Sequence, residues 1–134
     1  MNKGLCPLST LRFKMDNTKF RKFMTSSGKQ VLAGKNADQN EALIEQARAD
    51  EIVLHTAEAG SPFCNIKGKA DKDDIHEAAV FCAKYSRDWK TKKKDVIVHW
   101  FKAYDILKEK GMKTGTFGVK KFKEIRVKKE ELLE

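Results

Sequence analysis

The sequence lacks the features that mark several common classes of protein. No apolar run approaches the ~20 residues that a membrane-spanning helix needs, and residues 1–10 contain no apolar core of a signal peptide. The three cysteines, Cys6, Cys64 and Cys82, are odd in number and far apart, which supports neither a disulfide framework nor a zinc knuckle. These absences predict a protein of a reducing compartment, the cytoplasm, without a membrane partner.

Two stretches resemble motifs for nucleotide and metal binding, but each lacks a residue that the motif requires. "SGKQ" (27–30) resembles the end of a phosphate-binding loop, but Phe23 stands at the position of the earlier glycine and Gln30 replaces the hydroxyl residue. "HEAAV" (76–80) begins like a zinc-protease helix, but Val80 occupies the place of the second histidine. We therefore expect no cofactor and no metal ion, and spacing alone assigns no catalytic residue.

Basic residues are abundant, and their distribution along the chain is uneven. The net charge is +9; residues 1–40 carry 8 Lys and Arg against 2 Asp and Glu. Residues 41–83 carry 4 against 9, and residues 84–134 carry 16 against 8. A fold that unites the two ends would present a strongly positive face, which is typical of proteins with a phosphate-rich partner. A generally solvated surface is the alternative that charge alone leaves open.

The hydrophobic pattern of the first half predicts short strands and one helix. With 134 residues, of which 40% are hydrophobic, the chain is long enough for one domain with a single core. Alternation and turn residues predict a strand at 10–16, a hairpin over 20–34, a helix over 37–47 and a strand pair at 51–56 and 62–68.

The second half is predicted to begin with the longest helix, capped by Asp71 and extending to Trp89 over about five turns. Asp73 and Asp74 are expected to be exposed in its first turn. Its stripe is expected to pack on the sheet and comprises Ile75, Ala78, Ala79, Cys82, Tyr85 and Trp89. Strands follow at 95–101 and within 115–129. This order predicts an α+β fold, a mostly antiparallel mixed sheet with one short and one long helix packed on it.

Four stretches, taken together, resemble a known family. The stretches are "GKNADQNE" (34–41), "HTAEAGSPFCNIK" (55–67), "EAAVFCAKYSRDWK" (77–90) and "LKEKGMKTGTFGV" (107–119). In order and spacing they are similar to the NFACT-R (NFACT RNA-binding) domain, and the similarity covers about residues 20–128. Because it extends over nearly the whole chain, residues 1–134 resemble a free-standing, single-domain member.

The resemblance implies an RNA-binding module for tRNA or ribosomal RNA. Large NFACT proteins belong to ribosome quality control in translation, and free-standing copies are linked to tRNA modification, so the ribosome or a tRNA-modification enzyme are implied partners. Two alternatives remain. One is an enzyme or enzyme subunit that assists base modification, with His55 and either Glu41 or Glu58 as its acid–base set. The other is a ribosome-associated adaptor that uses the acidic middle of the chain.

The first motif reads as a helix start. Asn36 suits the N-cap, and Gln39 three residues later predicts a capping box. Gly34 permits a sharp exit from the preceding strand. Asn40 is a poor interior helix residue, so its amide is expected to bond either loop backbone or a nucleotide. Lys35, beside the helix N-terminus, is the better phosphate contact.

The second motif predicts a small-residue loop after a strand. His55 ends the strand, and the chain returns through Gly60, Ser61 and Pro62. Such a loop lets a ligand approach the backbone closely. His55 is expected either to contact RNA or to hold the turn, and Ser61 is expected to be exposed enough for contact.

The last two motifs combine cations, aromatic rings and hydroxyls. Trp89 is expected in the core, and Phe117 either in the core or against a base. Gly115 is expected to use positive φ. Glu41, in the first motif, is expected either to belong to the scaffold or to contact RNA directly. The predicted RNA contacts are Lys35, Asn40, His55, Ser61, Arg87, Lys90, Lys92, Lys93, Lys94, Lys113, Thr114 and Thr116.

Overall fold

The computed structural model describes residues 20–133, so the strand predicted at 10–16 lies outside the described residues. The strands of the described part are β1 (Arg21–Met24), β2 (Gln30–Ala33), β3 (Ile52–Thr56), β4 (Cys64–Ile66), β5 (Val96–Lys102), β6 (Ile106–Leu107), β7 (Gly118–Val119) and β8 (Lys123–Val127). The helices are α1 (Ala37–Gln46), α2 (Lys72–Lys84), α3 (Arg87–Lys92) and α4 (Lys129–Leu132), and a 3-10 turn covers Ala103–Asp105.

Six of these strands form one sheet in the order β1-β2-β4-β3-β5-β8, and every pairing in it is antiparallel. The predicted hairpin over 20–34 is present as β1 and β2. Strands β6 and β7 form a separate two-stranded sheet. The α+β class with a mostly antiparallel sheet is therefore confirmed.

The sheet buries both of its faces, because alternate residues of each strand point to opposite sides. On one face, Val31, Leu54 and Val98 pack in a core cluster with Ala79 and Cys82 of α2. The other face carries Leu32, Val53, Phe63 and Phe101, which pack with Leu43 of α1. The β6–β7 hairpin and Phe117 cover part of this second face, so the functional motifs meet on the α1 side of the sheet.

The prediction of a single five-turn helix up to Trp89 is wrong, because two helices, α2 and α3, occupy that span. Ser86 interrupts the helix: its buried hydroxyl donates to the Ala83 carbonyl oxygen at 2.7 Å and accepts from the Trp89 N–H at 3.1 Å. A serine that bonds local backbone in this way ends one helix and caps the next. Trp89 is buried as predicted, but Tyr85 is 39% exposed rather than packed on the sheet.

The start of α2 differs from expectation at one residue. Asp71 caps the helix and forms a capping box with Asp74, as local rules favour. Asp74, predicted to be exposed, is only 1% exposed because the Ser27 hydroxyl of the β1–β2 turn donates to it at 2.6 Å. The bond from Ser27, followed by that from the Asp71 N–H, lowers the pKa of Asp74 from 3.8 to about 2.

The C-terminal segment of the described chain is tied to both helices and sheet. Glu131 of α4 pairs with His76 of α2, and the Lys129 N–H donates to Asp95 at 2.9 Å. None of the helices that the structure describes has the length and apolar character required to cross a bilayer.

Candidate nucleic-acid interface

Segments from all four motifs line one open cleft of ≈ 760 Å³ on the α1 side of the sheet. We call it the motif cleft. Many of the site and motif residues predicted from the sequence line this cleft: Gly34, Lys35, Asn36, Asn40, His55, Gly60, Ser61, Pro62, Arg87, Lys90, Thr114, Gly115, Thr116 and Phe117. Residues that lie up to about 80 positions apart in the sequence thus share one surface.

The lining of the motif cleft is positively charged. Four cationic side chains, Arg21, Lys35, Arg87 and Lys90, take part, and none of the described lining residues is an aspartate or glutamate. Because no carboxylate in the lining neutralises these cations, the cleft has the potential that attracts phosphate groups.

Gly34 and Asn40 shape the floor of the cleft together. Asn40 Oδ1 accepts a hydrogen bond from the Phe63 N–H at 3.1 Å, which joins α1 to the residue just before β4. A Cβ at Gly34 would lie 2.2 Å from that same oxygen. Gly34 is therefore required because the Asn40 amide occupies the space of a side chain, and not for the strand exit that the sequence suggested.

The start of α1 is capped in a slightly different way from the prediction. Asn36 Oδ1 accepts from the Gln39 N–H at 2.9 Å, as expected for an N-cap. Gln39 Oε1 accepts from the Lys35 N–H at 2.9 Å, one residue earlier than a capping box requires. This bond holds the Lys35 backbone at the rim of the motif cleft.

Glu41 connects the first motif to the fourth. Its Oε1 accepts from the Gly115 N–H at 2.7 Å and from Lys108 Nζ at 3.2 Å. Gly115 has the expected positive φ, +81°, and a Cβ there would lie 2.9 Å from the Ala37 Cα. Glu41 thus fixes the 107–119 segment against α1, and it is not among the residues that line the cleft.

Lys108 stabilises the same segment, although the sequence did not predict a role for it. Its ammonium donates to the carbonyl oxygens of Lys113 at 2.6 Å and Thr116 at 2.8 Å. It also lies 4.5 Å from the centre of the Phe117 ring. By bonding two carbonyl oxygens, Lys108 holds the loop in one conformation. The glycines of this loop, which make its backbone flexible, were the one sign in the sequence that such a contact was needed.

His55 lies at the base of the cleft, where its surroundings favour the uncharged ring. Burial lowers its pKa, a bond with the Thr56 carbonyl raises it, and the nearby His99 lowers it, with a net decrease. Nδ1 is 2.7 Å from the Thr56 carbonyl oxygen, so it must donate there, and the neutral ring keeps Nε2 as an acceptor. The ring packs on Phe63 with 4.3 Å between centroids.

Ser61 is buried, at 9% exposure, so the prediction that its side chain is exposed is wrong. Its hydroxyl accepts from the Thr56 N–H and donates to the Pro62 carbonyl, each at 3.1 Å. These bonds close the turn after β3 and account for both of its hydrogen-bonding roles. On the other side of this turn, the Gly60 carbonyl accepts from the Arg87 N–H at 2.8 Å, which brings Arg87 to the cleft.

Four predicted contacts lie outside the lining of the motif cleft: Lys92, Lys93, Lys94 and Lys113. Lys92 pairs with Asp88 at 3.6 Å. Lys93 ends α3 in a left-handed conformation, with φ 53°, and its ammonium lies 4.8 Å from the centre of the Trp89 ring. Lys92, Lys93 and Lys94 lie at the end of α3, and Lys113 lies in the segment between β6 and β7.

Arg21, Tyr85 and His99 also line the cleft, although the sequence pattern did not predict them there. The Arg21 guanidinium lies 4.0 Å from the centre of the Tyr85 ring, a cation–π contact at the C-cap of α2. His99 pairs directly with His55 across strands β3 and β5. The alternation of apolar residues predicted the two strands that carry His55 and His99. It did not predict that these strands are neighbours in the sheet, because strand pairing depends on contacts between distant segments.

Within residues 20–133, no group of three or more histidine, cysteine or acidic side chains is arranged to hold a metal ion. Cys64 and Cys82 are both buried free thiols. Burial is the largest cause that raises the pKa of Cys64, which keeps this thiol protonated and unreactive.

The fold and the motif cleft define a basic α+β protein with a surface suited to an anionic polymer. Residues 19–121 match the family model described as the NFACT protein RNA binding domain. The chain therefore belongs to the NFACT RNA-binding domain family, and this membership supports a general RNA-binding role.

A solved structure with the same fold is the C-terminal part of the fibronectin/fibrinogen-binding protein from Streptococcus suis. It superimposes with a TM-score of 0.75 at 24% identity, covering 82% of this chain and 45% of that one. The chain thus spans less than half of that structure, and at this identity the likeness shows the fold alone. A comparison with curated proteins found no match.

Proposed function

We propose that this protein binds tRNA or ribosomal RNA in the motif cleft, without catalysis, in the cytoplasm. Its role would lie in translation, either in ribosome quality control or in tRNA modification. The observation that carries the proposal is the convergence of all four motifs on one cleft whose described lining holds four cations and no carboxylate.

The cations suit the RNA backbone. Arg21 and Arg87 offer planar guanidinium groups, which bind phosphate in a bidentate manner, while Lys35 and Lys90 act as point charges. Lys35 also precedes α1, whose first turn directs backbone N–H groups and positive dipole outward. Together these groups supply affinity that is independent of sequence and falls with salt.

The aromatic and polar lining suits an unpaired nucleotide. Phe117 is half-buried and meets the buried Phe63 edge to face with 5.4 Å between ring centroids. Accessible aromatic rings stack with bases of single strands and loops, so Phe117 is the candidate ring. The neutral His55, with Nε2 as acceptor, favours a donor such as a ribose 2′-hydroxyl or a base amino group over a phosphate. Thr114 and Thr116 add exposed residues with hydroxyls at the rim.

The lining supports binding better than acid–base chemistry. The acid–base set suggested by the sequence pairs His55 with Glu41 or Glu58, so one of these carboxylates would have to reach the substrate beside His55. Glu41 is engaged with Gly115 and Lys108, and neither Glu41 nor Glu58 lines the cleft. No described carboxylate therefore faces His55 from the cleft lining.

The test compares two double variants with equal loss of charge. Lys35→Ala/Lys90→Ala removes cations from the cleft, while Lys72→Ala/Lys129→Ala removes exposed lysines outside it. Anisotropy titrations with tRNA and ribosomal RNA fragments would run from low to physiological salt. We expect the cleft variant to lower the log–log salt slope by about 1.4, because a single-stranded contact contributes about 0.7 per phosphate, and the control to leave it nearly unchanged.

Two results would contradict the proposal. Absence of binding by the unmodified protein at low salt would remove RNA as the partner and favour the adaptor alternative. Equal losses in the cleft and control variants would show that binding depends on total charge and does not involve the cleft.

A further inference from the structure

A second concave surface lies between the β6–β7 hairpin and the ends of β5 and β8. Its volume is ≈ 590 Å³, and we call it the edge cleft. Trp100, Phe101 and Phe122 form its apolar part, and Asp105 is the one carboxylate among its described lining residues. Its cations are Lys102, Lys120, Lys121 and Lys123.

Phe122 is the most unusual residue of this surface. It is 49% exposed, although its ring stacks on His99 with centroids 4.1 Å apart and planes 22° from parallel. A ring held flat on one side and half exposed presents its other face to solvent. Lys123 follows Phe122 in the sequence, and its ammonium lies 5.4 Å from the centre of the Trp100 ring, which packs on the α2 side of the sheet.

The edge cleft adjoins the motif cleft. His99, which carries the Phe122 ring, lines the motif cleft, and Phe101 lines both clefts. The His99–Phe122 stack is thus the wall between them. A ligand that leaves the motif cleft over this wall meets the open face of Phe122 and then the lysines.

We propose that the edge cleft is a second RNA subsite, which binds the single-stranded continuation of the RNA held in the motif cleft. One base stacks on the open face of Phe122, and the flanking phosphates contact Lys120 and Lys121. Aromatic rings among cations match single-stranded nucleic acid, for which stacking and backbone charge supply affinity. This inference rests on the proposed function, and continuity with the motif cleft favours RNA over an acidic peptide.

RNA length separates the two subsites in a binding assay. Labelled oligoadenylates of 4 and 12 nucleotides would be titrated against the unmodified protein, Phe122→Ala and Tyr104→Ala. Tyr104 is the matched control, since it is a 60% exposed aromatic residue outside both clefts. We expect Phe122→Ala to weaken binding of the 12-mer about 10-fold and to change the affinity for the 4-mer less than about twofold. Tyr104→Ala should change the affinity for either RNA less than about twofold.

A charge variant tests the same subsite independently of stacking. Lys120→Ala/Lys121→Ala should lower the salt slope for the 12-mer by about 1.4 and leave the 4-mer slope unchanged. Lys72→Ala/Lys129→Ala again serves as the control. Circular dichroism of each variant verifies that the fold is retained.

The outcomes distinguish this inference from the proposed function. If Lys35→Ala/Lys90→Ala weakens binding while Phe122→Ala matches Tyr104→Ala, the edge cleft is not an RNA subsite and the motif cleft stands. If Phe122→Ala weakens the 4-mer as much as the 12-mer, Phe122 acts within the motif cleft and the second subsite is overturned. If no RNA binds, both proposals fail.

Discussion

At the scale of single residues, the motif cleft depends on side chains that bond backbone. Asn40 accepts from the Phe63 N–H, Glu41 from the Gly115 N–H, and Ser61 from the Thr56 N–H. Each bond joins segments that are distant or that turn sharply. These three polar side chains of the family motifs therefore build the cleft, and the cations that line it are the groups we propose for the ligand.

Gly34→Ala tests this arrangement most directly. A Cβ 2.2 Å from Asn40 Oδ1 must displace the amide and break its bond to the buried backbone of Phe63. We expect the free energy of unfolding to fall by about 1–3 kcal/mol, the cost of an unsatisfied buried group. Urea denaturation measures it.

Gly118→Ala is the control for this substitution, because its nearest neighbours lie at ordinary contact distances of 3.6 to 4.0 Å. Adding Asn40→Ala to Gly34→Ala relieves the clash, so the two costs should be less than additive. Strict additivity would show that the contact between Gly34 and Asn40 has no energetic weight.

At the scale of elements, the first turn of α2 holds the β1–β2 hairpin. Asp74 takes part in the cap of α2 and also accepts from Ser27 in the hairpin turn. The Ser26 N–H donates to Glu77, one turn further along α2, at 2.8 Å. The helix N-terminus thus positions the hairpin that contributes Arg21 to the motif cleft.

Acid titration should reveal the Asp74 contact. The pKa of Asp74 in the fold is about 2, below its ordinary value of 3.8, so the unfolded chain binds the proton more readily. The resulting stability is present above about pH 4 and is lost as the pH falls towards 2. We expect Asp74→Asn to be less stable at neutral pH, and to lose less of its remaining stability between pH 4 and pH 2.5.

Asp73→Asn is the matched control, since Asp73 lies exposed in the same turn. Urea midpoints at pH 7, 4 and 2.5 give the comparison. An Asp74→Asn variant with the same acid sensitivity as the unmodified protein would show that other carboxylates account for the acid loss.

At the scale of the whole molecule, the position of a positive charge matters more than its number. Lys92 and Lys94 belong to the most basic run of the sequence, yet neither lines the motif cleft. At physiological salt, exposed charges separated by more than about 8 Å are largely screened from each other. If RNA binds as proposed, a lysine at the end of α3, outside both clefts, is therefore expected to add less to its binding than a lysine that lines one of them.

Lys92→Ala/Lys94→Ala should consequently weaken RNA binding less than about threefold at physiological salt, whereas Lys35→Ala/Lys90→Ala should weaken it about 10-fold or more. Both variants remove two charges, so their comparison isolates position. Anisotropy with a tRNA ligand measures both affinities. A larger effect from the Lys92 and Lys94 pair would place the main contact surface at the end of α3.

The sequence by itself determined the features that depend on neighbouring residues. Periodicity and turn residues predicted the hairpin, α1, the strand pair and the α+β class. The caps at Asn36 and Asp71 were predictable because a capping side chain bonds backbone only a few residues away. The family motifs likewise identified most of the residues that line the motif cleft.

Only the tertiary structure decided which of these residues meet. The bond from Gly115 to Glu41 spans 74 positions, and the burial of Asp74 depends on a hairpin 47 positions away. Ser86 stops the long helix only because its hydroxyl is buried where it bonds the Ala83 carbonyl and the Trp89 N–H. Local pattern specifies backbone conformation, whereas a cleft arises from contacts between distant segments, which strand pairing and packing set.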